Sequence, residues 1–314
     1  MEMTTMTMDP GFRALLDATN AVEMPPLSSL PPAMIREGYR AQRVGVDAGA
    51  PTDLDVRDLE VGGGGGPLKA RLYTPKGAPA TGPGIVYFHG GGFVIGDLDS
   101  HDAFLRRLAA ASGVRVLSVD YRLAPEHPFP AAHDDALASL RWAFDHAAEI
   151  GFDPARIAVG GCSAGGNLSA SVALDLRGDP ARKLAFQLLL YPATAMDQDT
   201  ASRRDLATGH LLTAEVMEWF GNHLAAGGHP DQARAEPVKA DLAGVAPALI
   251  VTAGFDPLKD EGKAYAAAMN AAGSRAEHVE YAAFVHDFYT LSPFCAGVPA
   301  AIEETGAKLR AALA

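Results

Sequence analysis

Cysteine is almost absent. The chain of 314 residues holds two, Cys162 and Cys295, too few for a disulfide framework and well suited to a reducing compartment. Positive charge is also in deficit. Lys and Arg number 26 against 38 Asp and Glu, a net charge of −12. That argues against nucleic acid or an anionic membrane surface as a partner, because both reward clustered Lys and Arg. No apolar run approaches the roughly 18 residues that a membrane span needs. The first eight residues, Met1 to Met8, offer neither a basic n-region nor an apolar h-region, so no secretory signal is expected there and a cytoplasmic place is. Metal signatures are missing too. The ten histidines are scattered, with no His-Glu-x-x-His helix and no Cys-x-x-Cys pair, and neither a metal nor a cofactor is expected. The glycine run Gly62–Gly66 leads through Pro67 into a strand, not into Gly-Lys-Ser/Thr and a helix. It is therefore no phosphate loop.

What is present is a globular composition, 48% hydrophobic and 20% charged, long enough for one large α/β domain with a smaller cap. An N-terminal arm, 1–50, reads as two helices, Gly11–Ala21 after Asp9 and Pro10, and Pro32–Val44, split by a proline-rich link. Two readings of it are open: a mobile lid, or an arm packed on the surface. Runs 54–61 and 68–73 read as a hairpin with an over-long glycine tip. Strand-like runs at 84–88, 114–120, 157–160, 184–190, 247–253 and 275–281 then alternate with helical stretches. The helices are expected at 100–112, 131–149, 164–177, 259–272 and 300–313. That alternation predicts βαβ units and a mostly parallel sheet covered on both faces. The rhythm breaks over 195–232, which carries His210, Trp219, Phe220 and His223 and reads as a cap insertion over the C-terminal edge of the sheet, where such sheets bind ligand. The core is thus expected as 51–194 and 233–314.

The chain is organised around Arg156-Ile-Ala-Val-Gly-Gly-Cys-Ser-Ala-Gly-Gly-Asn167. A short apolar strand meets a glycine turn and a helix of small residues, and Gly161-Cys162-Ser163-Ala164-Gly165 fits Gly-x-Ser-x-Gly, the pattern of a strained strand-to-helix turn that exposes a serine. A serine nucleophile needs a base, a group to orient that base and donors for an oxyanion. His89-Gly90-Gly91-Gly92 follows a buried strand, and its N–H groups, with that of Ala164, form a candidate oxyanion hole. Asp256 ends the strand 247–253, where a carboxylate faces a cleft; its plainer role is an N-cap. Asp260 and Glu261, already on the helix, read as surface or interface charges. His286 lies in the loop after the last strand, whereas His278 within that strand reads as a sheet-face residue. Asp287 beside His286 could raise the pKa of the imidazole or face solvent, and the second is expected.

His89-Gly-Gly-Gly92, Asp120-Tyr-Arg-Leu-Ala-Pro-Glu126-His-Pro-Phe-Pro130, Gly161-x-Ser-Ala-Gly-Gly-Asn167, Tyr191-Pro192 and Asp256-Pro-Leu-x-Asp260 occur in that order. Together they resemble the bacterial hormone-sensitive-lipase-like, or family IV, carboxylesterases of the α/β-hydrolase superfamily, over about residues 68–290. The resemblance implies an eight-stranded sheet with a helical cap and cofactor-free hydrolysis of short- to medium-chain esters. It implies Ser163 as nucleophile, Asp256 as acid and His286 as base. Gly91, Gly92 and Ala164 would be the oxyanion donors, with His89 and Gly90 supporting the turn. It also suggests a homodimer through the last strand and helix.

Two departures stand out: Cys162 replaces the usual Asp or Thr before the serine, and Asp287 replaces a frequent Gly after the histidine. Amidase, lactonase and acyltransferase chemistry use the same triad. A non-catalytic binding protein on this scaffold, like the plant gibberellin receptor, is a further alternative, but it lacks the histidine that His286 supplies.

Overall fold

The computed structural model describes residues 7–23, 25–46, 49–196, 198–225 and 232–314. Parts of the expected arm (1–6, 24, 47–48) and of the expected insertion (197, 226–231) lie outside them. Eight strands form one sheet: β1 (Leu54–Gly63), β2 (Gly66–Pro75), β3 (Gly82–Phe88), β4 (Arg115–Val119), β5 (Phe152–Cys162), β6 (Phe186–Leu190), β7 (Ala248–Phe255) and β8 (Ala276–Val285). Their spatial order is β1-β2-β4-β3-β5-β6-β7-β8. β1 and β2 pair antiparallel, as do β2 and β4; all other pairs are parallel. The glycine tip is shorter than expected. Gly63 pairs with Gly66, so only Gly64 and Gly65 form the turn and the other glycines belong to the strands.

Alternate residues along each strand feed opposite faces. Ile85 and Tyr87 join one buried cluster with Val116, Leu188 and Leu190, while Val86 and Phe88 join another with Leu117, Val119 and Val159. A strand that is apolar on both sides is what a sheet sandwiched between helices requires. On the first face lie α3 (Asp102–Ser112) and α10 (Val298–Ala312). On the other lie α4 (Ala131–Asp145), α5 (Ala164–Asp175) and α9 (Lys259–Ala271).

Two strands run longer than their apolar cores. β5 starts at Phe152, which pairs with Gly82 across a register shift, so pairing carries past Asp153 and Pro154. β8 continues to Val285 beyond a second shift between Ala253 and Phe255. That extension delivers the chain to His286 at the same edge at which β5 delivers it to Ser163.

The arm consists of α1 (Pro10–Asn20) and α2 (Pro32–Val46). Asp9 caps α1 by accepting from the Gly11 N–H at 2.8 Å, with Pro10 in its first turn. Phe12 and Leu16 are fully buried in the first cluster, and Phe12 meets Phe284 edge-on with ring centroids 5.5 Å apart. The described part of 195–232 holds α6 (Ala201–Asp205) and α7 (Ala214–Leu224), with α8 (Gln232–Ala235) at its end. No helix among the described residues is long and apolar enough to cross a membrane.

Candidate active site

Ser163 sits between β5 and α5 with φ 54° and ψ −117°, a conformation that non-glycine residues rarely hold. The surroundings hold it there. Its N–H donates to the Leu190 carbonyl at 2.9 Å, and its carbonyl accepts from Asn167 and Ala193 N–H groups. The flanking glycines are steric necessities. A Cβ on Gly161 would stand 2.3 Å from the Gly165 carbonyl oxygen, and one on Gly165 would stand 1.9 Å from that of Phe88. Such an approach leaves no room for a side chain.

His286 is brought to Ser163 across 123 residues of sequence, its Nε2 3.0 Å from Ser163 Oγ. Nδ1–H donates to Asp256 Oδ2 at 2.7 Å, which leaves Nε2 to accept from the serine hydroxyl. Asp256 is fully buried: Oδ2 orients the imidazole while Oδ1 accepts from the Leu258 N–H at 2.8 Å, closing a turn just ahead of α9, whose N-cap position is Leu258 and not Asp256. Burial by itself would push the His286 imidazole down. The charge and hydrogen bond of Asp256, then the charges of Asp287 and Glu261, outweigh this and hold it above its ordinary value.

The glycine loop lies beside the serine. Gly91 and Gly92 have φ of 120° and 59°, and among the described residues their N–H groups donate to no protein acceptor. Ala164, the first residue of α5, has no preceding turn to donate to. Three N–H groups are therefore free for an anionic oxygen at a helix N-terminus. Gly90 is used internally: its N–H donates to His101 Nε2 at 3.3 Å and its carbonyl accepts from His89 Nδ1–H at 2.8 Å. His89 is buried and stacked on Tyr121, whose hydroxyl donates to the His89 carbonyl at 2.9 Å. Burial pushes the His89 imidazole below its ordinary value. From above, α7 lies on the loop, since a Cβ on Gly92 would meet the Phe220 ring at 2.1 Å.

Other readings need correction. Glu261 is not a surface charge. It is fully buried; Oε1 accepts the Thr194 and Ala195 N–H groups at 2.7 and 3.3 Å, and Oε2 pairs with Arg203 at 2.8 Å. Asp260 accepts the Ser202 N–H at 2.8 Å. These bonds tie α9 to the segment after β6 and to α6. Asp287 does not face solvent either. Its side chain is 13% exposed and pairs with Arg43 of α2 at 2.7 Å. Cys162 is buried, with its Sγ against Gly90 of the glycine loop; burial, then the Asp287 charge, pushes its thiol well up. His101, Cys162 and Asp287 offer ligand atoms within 4.8 Å of one another, a grouping that no spacing in the sequence suggests. Arg43, Tyr39 and Thr290 all donate to one oxygen of that cluster, Asp287 Oδ2. His278, as expected, stays in the sheet, with Nε2 2.9 Å from Thr252 Oγ1.

Comparison with known proteins gives the family. The family model for the alpha/beta hydrolase fold matches residues 85–290. The chain is 45% identical over 269 residues to the carboxylic ester hydrolase LipN of Mycobacterium tuberculosis, covering 83% of this chain and 71% of that protein. Among solved structures it is similar to an ester hydrolase from the metagenome of Lake Arreo, solved with a bipyridine phosphonate derivative (TM-score 0.91, 38% identity, 97% of this chain and 99% of that one). It is also similar to a hyperthermophilic esterase from Pyrobaculum calidifontis (TM-score 0.90, 37% identity, 98% of this chain and 100% of that one).

Proposed function

The chain belongs to the hormone-sensitive-lipase-like carboxylesterases of the α/β-hydrolase fold, and from that membership we propose how it works: as a serine esterase of short- to medium-chain carboxylic esters through Ser163, His286 and Asp256. The observation that carries the reading is the unbroken hydrogen-bond line from Ser163 Oγ through the imidazole to Asp256, 3.0 and 2.7 Å long. His286 takes the serine proton as Oγ attacks the ester carbonyl. Asp256 fixes the tautomer and stabilises the imidazolium. The N–H groups of Gly91, Gly92 and Ala164 hold the oxyanion, with His89 and Gly90 shaping the loop. The imidazolium then protonates the leaving alcohol, and water repeats the cycle on the acyl-enzyme.

Within the same reading, the arm 1–50 and the insertion 195–232 form the cap over a core of 51–194 and 233–314. The protein is cytoplasmic and works without nucleic acid, metal or cofactor. The test is initial-rate hydrolysis of p-nitrophenyl esters from acetyl to palmitoyl. Ser163→Ala is expected to lower kcat by about 10⁴-fold or more in a protein with unchanged circular dichroism. Near-normal hydrolysis by that folded variant would end the reading.

A further inference from the structure

The chemistry above leaves one buried ion pair without a role. Arg43, near the end of α2, has a side chain 8% exposed, and its Nη2 donates to Asp287 Oδ2 at 2.7 Å. Tyr39, one helical turn earlier on the same face, donates its hydroxyl to the same oxygen at 3.1 Å, and the Arg43 guanidinium lies over the Tyr39 ring at 4.7 Å. Thr290 Oγ1 donates there too, at 2.9 Å. Asp287 has φ 63°, so the residue that follows the base turns through the left-handed region. Three donors converge on the carboxylate that forms this turn, two of them from the N-terminal arm.

We propose that Arg43 is a positioning residue that anchors the histidine loop to the arm through Asp287 and opposes a second carboxylate charge beside the imidazole. The proposal rests on the esterase reading of Ser163 and His286. A buried carboxylate next to an imidazole favours the imidazolium, the form that cannot act as base; the Asp287 charge already pushes the imidazole up, and without the opposing guanidinium it would push further. The guanidinium outweighs the upward push of burial and holds the Asp287 carboxyl below its ordinary range.

The other groups around the pair do not compete. Burial pushes His101 down to about 3 and pushes the Tyr39 hydroxyl and the Cys162 thiol up, so all three are neutral in the working range. Around His286 itself stand Asp256, Glu261 with its partner Arg203, Ser163 and the Tyr191 ring, centroids 5.0 Å apart. Behind Arg43 a cavity of about 590 Å³ is lined by Arg40, Arg71 and Arg106 with Asp58, Asp99 and Asp102. None of these surrounding residues is substituted in the kinetic comparison below.

The experiment is the pH dependence of kcat/KM for p-nitrophenyl acetate in the full chain, comparing wild type, Arg43→Gln, Arg43→Lys, Asp287→Asn and Arg43→Gln/Asp287→Asn. Arg43→Gln leaves Asp287 unpaired, and the acid limb is expected to move up by about one pH unit. Asp287→Asn leaves the guanidinium beside the loop, and the limb is expected to move down. The double variant and Arg43→Lys are expected near wild type, because each restores charge balance. Lowered activity with the limb unmoved in both single variants would reduce Arg43 to a packing residue and overturn the proposal. If Arg43→Gln does not fold, an unmoved limb in Asp287→Asn has the same force. The downfield proton resonance of His286 Nδ1–H, titrated in Ser163→Ala with and without Arg43→Gln, gives the second readout. It must shift in the same direction even if no ester is hydrolysed, so failure of the esterase reading stays distinct from failure of this one.

Discussion

At the scale of single residues, position on the elbow decides which of two adjacent nucleophiles is presented. Ser163 faces the imidazole, while Cys162, the last residue of β5, turns into the first core cluster. Thiolate, not thiol, is the reactive form, and burial keeps Cys162 protonated. Iodoacetamide is therefore expected to leave the native enzyme fully active over hours. Cys162→Ala is expected to keep kcat/KM for p-nitrophenyl acetate within about threefold, since it removes a small buried group that takes no part in the hydrogen-bond line from Ser163 to Asp256. Loss of activity in Cys162→Ala with Ser163→Ala still active would reverse the assignment of the nucleophile. The elbow, the glycine loop, Asp256 and His286 were all legible in the sequence because each follows a strand end with its own local pattern. Glu261 and Asp287 were not. Their partners Arg203 and Arg43 lie 58 and 244 residues away, so a local reading sees a charge on a helix or a loop and assigns it to solvent. The one available signal was the spacing Arg36, Tyr39, Arg40, Arg43, a basic and aromatic stripe on one face of α2.

At the scale of elements, the arm is held by packing at one end and by packing and charge at the other. α1 buries Phe12 and Leu16 against Phe284 and the turn at Phe288–Phe294. α2 adds polar bonds to the packing of Ile35 and Tyr39 on the second cluster. Arg36 pairs with Glu126 at 2.7 Å and donates to the Val94 and Ala124 carbonyls, Arg40 pairs with Asp99, and Arg43 pairs with Asp287. Of the two open readings, the described residues favour the packed arm at α1, and composition alone had no means of choosing. Phe12→Ala removes a fully buried ring and is expected to lower stability by about 3–5 kcal/mol, read as a drop in the urea midpoint. A change below about 1 kcal/mol would mean that α1 leaves the core readily and serves as a lid after all. The strands were legible from their apolar runs. Their spatial order was not, nor were the ends of β5 and β8, because pairing past Asp153 and past Ala282 is set by the neighbouring strand rather than by local hydrophobicity.

At the scale of the whole molecule, the sheet ends in two open edges, β1 and β8, and open edges invite pairing. The Arg275 carbonyl accepts from the Ala248 N–H. By alternation, the odd-numbered residues of β8 then turn their backbone groups toward β7 and the even-numbered ones turn theirs outward. Ala276 is already closed off, its N–H donating to Asn270 Oδ1 at 3.0 Å and its carbonyl accepting from Asn270 Nδ2 at 2.9 Å, so the outward groups of His278 and Glu280 are the ones that β8 offers to a partner. The flanking charges are partly satisfied within the chain: Lys308 of α10 pairs with Glu277 at 2.6 Å, and Tyr281 donates to Glu304 at 2.9 Å. A two-fold partner meeting β8 would therefore find α10 alongside it with few unpaired charges to bury, whereas β1 carries Asp55, Arg57, Asp58 and Glu60. Sedimentation equilibrium is expected to give twice the chain mass at micromolar concentration. Glu280→Pro removes one outward donor and leaves the ladder to β7 whole, as edge strands tolerate; it is expected to shift the population toward monomer while kcat stays unchanged. A wild-type monomer at every concentration would end the proposal of a homodimer. A dimer indifferent to Glu280→Pro would move the interface away from β8.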